Sequence, residues 1–103
     1  TYIAKELSTF LGTVERCYSE KDSIDFLGFR TSIHLKGDVT GKDEDKIYIF
    51  VIYDKNIHRI NRGEFVRVYH NPDTGIVQSY SVWKSKDSSE KSNTPLYFFG
   101  EWR

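Results

Sequence analysis

The side chains best suited to chemistry lie on two predicted strands. Over residues 29–36, apolar and polar side chains alternate, which is the period of a half-buried strand. Residues 46–54 are almost all β-branched or aromatic and predict the strongest strand of the chain. We expect the outward faces of these strands to adjoin, with polar side chains on the first and large apolar ones on the second: Arg30, Ser32, His34 and Lys36, then Tyr48, Phe50 and Ile52.

Cations beside exposed aromatic rings are typical of surfaces that bind single-stranded nucleic acid. The rings stack on bases, at about 1–3 kcal/mol per base, and the cations meet phosphates. A second group of basic residues lies on and around the segment that follows the predicted strand at 46–54. Arginine side chains there could pair bidentately with phosphate. The residues predicted to bind nucleic acid are Arg30, His34, Lys36, Tyr48, Phe50, Lys55, Arg59, Arg62 and Arg67.

The same residues also have a purely structural interpretation. Tyr48 and Phe50 would then lie under the N-terminal segment or under the apolar segment 96–102 and complete a second small core. Arg30 and Lys36 would in that case be ordinary surface charges. Whether the two rings are exposed therefore decides between the interpretations.

The charge of the chain is balanced overall but uneven along its length. Residues 1–45 carry 6 basic and 9 acidic side chains, or −3, and residues 46–103 carry 9 basic and 6 acidic, or +3. Strong nucleic-acid binders usually have a clearly basic domain. The zero net charge therefore weakens the nucleic-acid prediction, although a local basic patch suffices for binding. Acidic side chains in the loops before both strands would repel phosphate: Glu20, Asp22 and Asp25, then Asp43, Glu44 and Asp45.

No motif of the sequence predicts catalysis. His34, His58 and His70 are scattered, lack the spacing of a helical metal pair and have no pair of cysteines nearby. His58 and His70 are expected to be exposed beside turns. No nucleophile is accompanied by a readable base, and no glycine-rich phosphate loop precedes a helix. We therefore predict a protein that is not an enzyme and has no metal site and no cofactor.

The single cysteine, Cys17, indicates a reducing compartment, cytoplasmic or nuclear, because it cannot form an internal disulfide bond. We expect it to be a buried or half-buried strand residue. Trp83 and Trp102 are expected in the core, each with its indole N–H bonded at the edge, and partner contact is the alternative. No apolar run is long enough to span a membrane, and the absence of any Met is consistent with a domain excised from a longer protein.

The sequence predicts that these residues lie on short strands of a single domain, residues 1–103. The N-terminal residues up to Gly12 have helical apolar spacing and predict a short helix, or else the lead-in to a first strand over 13–18. A small helical connector is expected over 55–64. The turn at residues 70–75, which ends in Gly75, predicts a hairpin between strands at 65–69 and 76–84. Residues 85–94 are polar and predict a flexible loop, and residues 95–103 a closing strand.

The passage from Ile60 to Tyr69, with its hairpin and the following residues 76–80, resembles the connector, fourth strand and fifth strand of the OB-fold superfamily. The opening Gly12-Thr13-Val14 is similar to the start of strand one in that superfamily. The resemblance spans roughly residues 10–84 as a pattern and implies a mainly β, five-stranded Greek-key barrel that binds oligonucleotides or oligosaccharides. An SH3-like barrel is the alternative fold.

On this resemblance we expect a single-stranded DNA- or RNA-binding module that uses an aromatic and basic barrel face. The alternative is a protein-interaction module that docks a partner, or other domains of its parent protein, through a barrel face or strand edge. Neither function involves a membrane.

Overall fold

The computed structural model describes residues 6–22, 28–37 and 46–100. This part of the chain is mainly β, with six antiparallel strands in one open sheet and one short helix. No helix in these ranges is long and apolar enough to cross a bilayer. The elements are β1 (Ser8–Asp22), β2 (Gly28–Gly37), β3 (Ile47–Asp54), β4 (Phe65–His70), β5 (Val77–Trp83), α1 (Lys86–Lys91) and β6 (Tyr97–Phe99).

The long strand β1 organises the sheet, whose order is β3-β2-β1-β4-β5-β6. Its N-terminal half pairs with β4, while residues from Gly12 onward pair with β2. The pairing with β2 shifts register between Val14 and Arg16. Such a bulge bends a strand and reverses which residues face inward. A single parallel bridge, Val51 to Ile76, joins β3 to the residue before β5.

The core is built from alternate residues of five strands and one residue of the connector between β3 and β4. Burying each such aliphatic side chain contributes about 1.5–3 kcal/mol. Ile60 reaches the core from the connector, and Phe10 and Phe99 pack against it from β1 and β6. The cluster consists of Val14, Ile33, Leu35, Phe50, Ile52, Ile60, Val66, Val68, Val77, Tyr80 and Val82.

The predicted strands over 29–36 and 46–54 are confirmed, and so is the hairpin between β4 and β5. At its turn the Asn71 amide donates to the Ile76 carbonyl at 2.9 Å, and the Asn71 side chain accepts from the Asp73 amide at 2.8 Å. Gly75 has φ of 74°, the left-handed conformation that favours glycine.

Neither segment predicted to be helical is a helix where the structure describes it, and the alternative for the N-terminus, the lead-in to a first strand, is confirmed. Residues 8–12 belong to β1, and residues 1–5 of the predicted N-terminal helix lie outside the described residues. The connector over 55–64 contains no helix. Its polar backbone is satisfied by β1, because Gly63 donates to the Val14 carbonyl and Val14 donates to the Glu64 carbonyl, both at 2.9 Å.

The closing strand predicted within residues 95–103 is confirmed, because Tyr97–Phe99 pairs with β5 as β6. It brings the number of described strands to six, whereas the resemblance implied five. Residues 85–94, expected as a loop, contain α1. The Ser85 hydroxyl caps this helix by accepting from the Ser88 amide at 3.2 Å. The helix buries none of its residues, so no apolar periodicity marked it in the sequence.

Candidate functional site

The large apolar side chains predicted to face outward from β3 face the core instead. Phe50 is 5% exposed, and Ile52 is fully buried. Tyr48 is half-buried against the core, and its ring lies 4.8 Å from that of Phe10. Phe10 also lies 5.2 Å from Phe50. The N-terminal segment therefore covers both rings, as the structural interpretation expected, but it does so as a strand. Tyr48 and Phe50 are not an exposed stacking pair.

The β3 residues that point away from the core lie beside the polar side chains of β2. Pairing places Arg30 opposite Tyr53, and His34 opposite Ile49. The same β2 residues face β1, where His34 pairs with Arg16. Because paired residues of an antiparallel sheet point to the same side, these side chains form one surface. We call it the β1–β3 face and define it as Arg16, Tyr18, Arg30, His34, Lys36, Ile49 and Tyr53.

The centre of the β1–β3 face is a stack of three side chains. The Tyr18 ring, 42% exposed, lies 5.7 Å from the His34 ring. The Arg16 guanidinium lies 4.8 Å from the centre of the Tyr18 ring, within the range of a cation–π contact. These contacts hold the Tyr18 ring in place while leaving part of it open to solvent. The Nε2 atom of His34 is enclosed and makes no hydrogen bond with the described residues.

The second exposed ring of the face, Tyr53, lies opposite Arg30 in the pairing of β2 with β3. Arg30 forms an ion pair with Glu20. The hydrogen bond and charge of Glu20 raise the pKa of the Arg30 guanidinium further above its ordinary value. Arg30 is exposed and remains a cation at any working pH. Glu20 offsets part of its attraction for an anion.

Exposed isoleucines border the face at the outer edge of β3. Ile49 is 58% exposed and Ile47 is 52% exposed. Ile76 is also exposed and lies next to them through the bridge to Val51. The surface is therefore cationic and aromatic over β1 and β2 and aliphatic at the edge of β3.

The basic cluster predicted around the connector does not join this face. Lys55, Arg59 and Arg62 are exposed on the connector, and Arg62 lies 3.7 Å from Glu15. Arg67 lies on β4, opposite Leu11, with its guanidinium 5.4 Å from the Trp83 ring. Of the predicted basic residues, Arg30, His34 and Lys36 lie on the β1–β3 face.

The expectation that His58 and His70 are exposed is wrong. The His58 ring is nearly buried between two partners, with Nε2 2.6 Å from an Asp54 carboxylate oxygen and Nδ1 2.5 Å from the Tyr80 hydroxyl. A carboxylate only accepts, so Nε2 donates its proton to Asp54, and Nδ1 shares the second hydrogen bond with the Tyr80 hydroxyl. Burial raises the pKa of Tyr80, which keeps its hydroxyl protonated. His70 is half-buried, 4.6 Å from Phe50.

The chain Asp54–His58–Tyr80 fastens the connector to the sheet. Cys17 lies beside it and donates to the His58 carbonyl at 3.7 Å. Burial raises the Cys17 pKa, which suppresses the thiolate. Cys17 is half-buried on β1, as predicted. Trp83 is buried and its indole N–H donates to the Ser92 carbonyl, also as predicted, whereas Trp102 lies outside the described residues.

Sequence reasoning missed four residues of the face: Arg16, Tyr18, Ile49 and Tyr53. Alternation along β3 separates the two faces correctly, but it does not say which face is buried, because both are apolar. The alternation of polar and apolar residues along β2 was interpreted correctly. For β3, only its pairing with β2 determines which of its two sides faces the core. The placement of Arg16 and Tyr18 on this face depends on the bulge of β1 after Val14, which no residue type in the sequence indicates.

Among the described residues no group of three or more potential ligands could hold a metal ion. Comparison of the chain with known protein families, with curated proteins and with solved structures finds no match in any of the three.

Proposed function

We propose that the domain binds single-stranded nucleic acid through the β1–β3 face. The observation that carries the proposal is the pairing of two exposed rings, Tyr18 and Tyr53, with three cations across adjacent strands. Exposed rings give bases a stacking surface, and Arg16, Arg30 and Lys36 give the backbone positive charge. Glu20, on the same side of β1, forms an ion pair with Arg30 and offsets part of this positive charge.

The strand order supports an OB-like barrel as the scaffold of this face. The spatial order β4-β1-β2-β3 is that of a Greek key, in which the fourth strand returns to lie beside the first. The parallel bridge between Val51 and Ile76 brings the third strand to the entrance of the fifth, where a barrel would close. In such barrels the face on strands two and three binds oligonucleotides. An SH3-like barrel remains the alternative.

The test is fluorescence anisotropy with labelled oligothymidylate and oligouridylate of about ten nucleotides, within the site size of one such domain. Tyr18→Ala and Tyr53→Ala should each weaken binding about five- to 100-fold, since each removes one stacking ring. Phe98→Ala is the matched control, because Phe98 is an exposed ring on β6, away from this face. Its affinity should equal that of the unchanged protein.

The cations are tested by salt dependence between about 50 and 200 mM. Arg30→Gln should reduce the slope of log affinity against log salt by about 0.7, the value for one phosphate contact on a single strand. Arg62→Gln removes an exposed cation from the connector and should leave the slope unchanged. Absence of binding to both oligomers at about 50 mM salt, or equal losses for Tyr18→Ala and Phe98→Ala, contradicts the proposal.

A second candidate, docking of a partner protein on the same face, is favoured by the exposed isoleucines of β3. Ile47 and Ile49 are each more than half exposed, whereas a nucleic-acid surface is usually richer in cations. Ile49→Lys separates the candidates, because an added cation should strengthen oligonucleotide binding and disrupt an apolar protein contact. Oligonucleotide affinity that is unchanged or reduced by Ile49→Lys would favour docking of a protein.

A further inference from the structure

A second concave surface lies on the other half of the sheet, between α1 and the strands β1, β4 and β5. It is an open cleft of ≈ 330 Å³. Its volume is at the lower limit of ligand pockets, about 300–1,000 Å³, and therefore suits one bulky side chain. The lining residues are Leu11, Phe65, Arg67, Trp83, Lys86, Ser89, Glu90 and Asn93.

The floor of the cleft is aromatic and fixed in position. Phe65 and Trp83 pair across β4 and β5, with ring centres 6.4 Å apart. The indole N–H of Trp83 donates to the Ser92 carbonyl at 3.1 Å, which anchors the ring at the end of α1. Leu11, 41% exposed, extends this apolar surface to the rim. Because α1 buries none of its own residues, the helix does not fill the space above the floor.

Charged groups of both signs surround the apolar floor. The Arg67 guanidinium lies 5.4 Å from the Trp83 ring, so one ligand can contact both groups. Lys86 and Glu90 lie four residues apart on α1, on the same side of the helix. The lining residues that the structure describes thus include two cations and one carboxylate. A ligand with an apolar group and neighbouring carboxylates is complementary to this arrangement.

A row of paired residues runs from the cleft to β6. Leu11 pairs with Arg67, Arg67 with Ser81, and Ser81 with Phe98. Leu11 and Phe98 are exposed apolar side chains at the two ends of the row, with Arg67 and the buried Ser81 between them.

We propose that this cleft binds an acidic peptide segment that inserts one aromatic side chain against Trp83. Carboxylates next to the inserted residue meet Arg67 and Lys86, and arginine suits this role because its planar guanidinium can pair bidentately with a carboxylate while it stacks on a ring. The site is separate from the β1–β3 face, which is built on β2, β3 and the C-terminal half of β1. The inference does not depend on the proposed nucleic-acid function.

The experiment follows the Trp83 indole by ¹H–¹⁵N NMR in a Trp102→Phe protein, which leaves Trp83 as the only indole of the chain. The probe is acetyl-Asp-Asp-Phe-Asp-Asp-amide. Two control peptides replace its Phe by Ala, or its four Asp by Asn. We expect a saturable shift of the Trp83 signal with the probe and at least fivefold weaker binding of each control.

Two helix variants test the charge pattern with matched chemistry. Lys86→Gln should weaken binding of the probe about two- to fivefold, the scale of a partly exposed ion pair. Glu90→Gln should tighten binding by a similar factor, because it removes a repulsive carboxylate. Glutamine is a good helix former, so α1 is preserved in both variants. Leu11→Thr tests the apolar rim and should weaken binding while retaining a strand-forming residue.

Three results would overturn the proposal. The first is equal binding of the probe and the Ala control, which would mean that no side chain enters the cleft. The second is an affinity that neither Lys86→Gln nor Glu90→Gln changes. The third is a Trp83 shift that oligothymidylate produces and the acidic peptide does not, which would assign the cleft to nucleic acid.

Discussion

The Tyr80 hydroxyl is the hydrogen-bond partner that holds His58, and its removal should destabilise the fold measurably. Tyr80→Phe keeps the ring, which stacks on Phe99 with centres 5.4 Å apart, and removes only the oxygen. The variant loses the 2.5 Å hydrogen bond to Nδ1 of His58 and leaves that nitrogen buried without its partner. An unsatisfied buried polar atom costs about 1–3 kcal/mol. We expect the free energy of unfolding to fall by this amount.

Urea denaturation followed by Trp fluorescence measures the effect. With a slope of about 1–3 kcal/mol per molar urea, the loss shifts the midpoint by roughly 1 M. Tyr97→Phe is the matched control, because the partly exposed Tyr97 hydroxyl donates to the Arg59 carbonyl at 3.1 Å and water can replace it. It should cost less than about 1 kcal/mol. Equal losses in the two variants, or a loss below about 0.5 kcal/mol for Tyr80→Phe, would refute the role of the Tyr80 hydroxyl as the buried partner of His58.

Three other outcomes are expected. Burial raises the pKa of Tyr97 to about 12. The folding stability that its protonated hydroxyl contributes is therefore fully present below the ordinary pKa of 10.0 and is lost as the pH rises toward 12. Tyr97→Phe should reduce this alkaline loss of stability in thermal melts. Phe50→Ala should lower the free energy of unfolding by about 3–5 kcal/mol, because it opens a cavity in the core. Tyr53→Ala should lower it by less than about 1 kcal/mol, because Tyr53 is exposed. The midpoints of urea denaturation measure both changes. Gly75→Ala should cost about 1 kcal/mol because φ is +74° there, measured in the same way.

Strand positions were predictable because local residue types decide them. The alternation along β2 separates a core side from a solvent side within eight residues, and the turn before Gly75 fixes the hairpin. The N-terminal segment and the connector are not helical because their backbones bond to distant parts of the sheet. Residues 8–12 pair with β4, and the end of the connector bonds to Val14 of β1, long-range contacts that residue spacing does not reveal.

The candidate site was predictable in its cations and not in its aromatic rings. Arg30, His34 and Lys36 were assigned correctly to one outward surface, since polar side chains reveal the solvent side of a strand. Tyr48 and Phe50 were assigned to the wrong side of β3, because apolar residues occupy both sides of that strand. Which side is buried depends on Phe10, 38 and 40 residues earlier in the chain, packing on both rings.

The most direct test of the nucleic-acid interface is a ¹H–¹⁵N NMR titration of the domain with oligothymidylate at about 50 mM salt. We expect saturable shifts centred on the β1–β3 face, with the largest changes at Tyr18, His34 and Tyr53. Shifts confined to the connector around Arg59 and Arg62, or no saturable shifts at all, would contradict binding through this face.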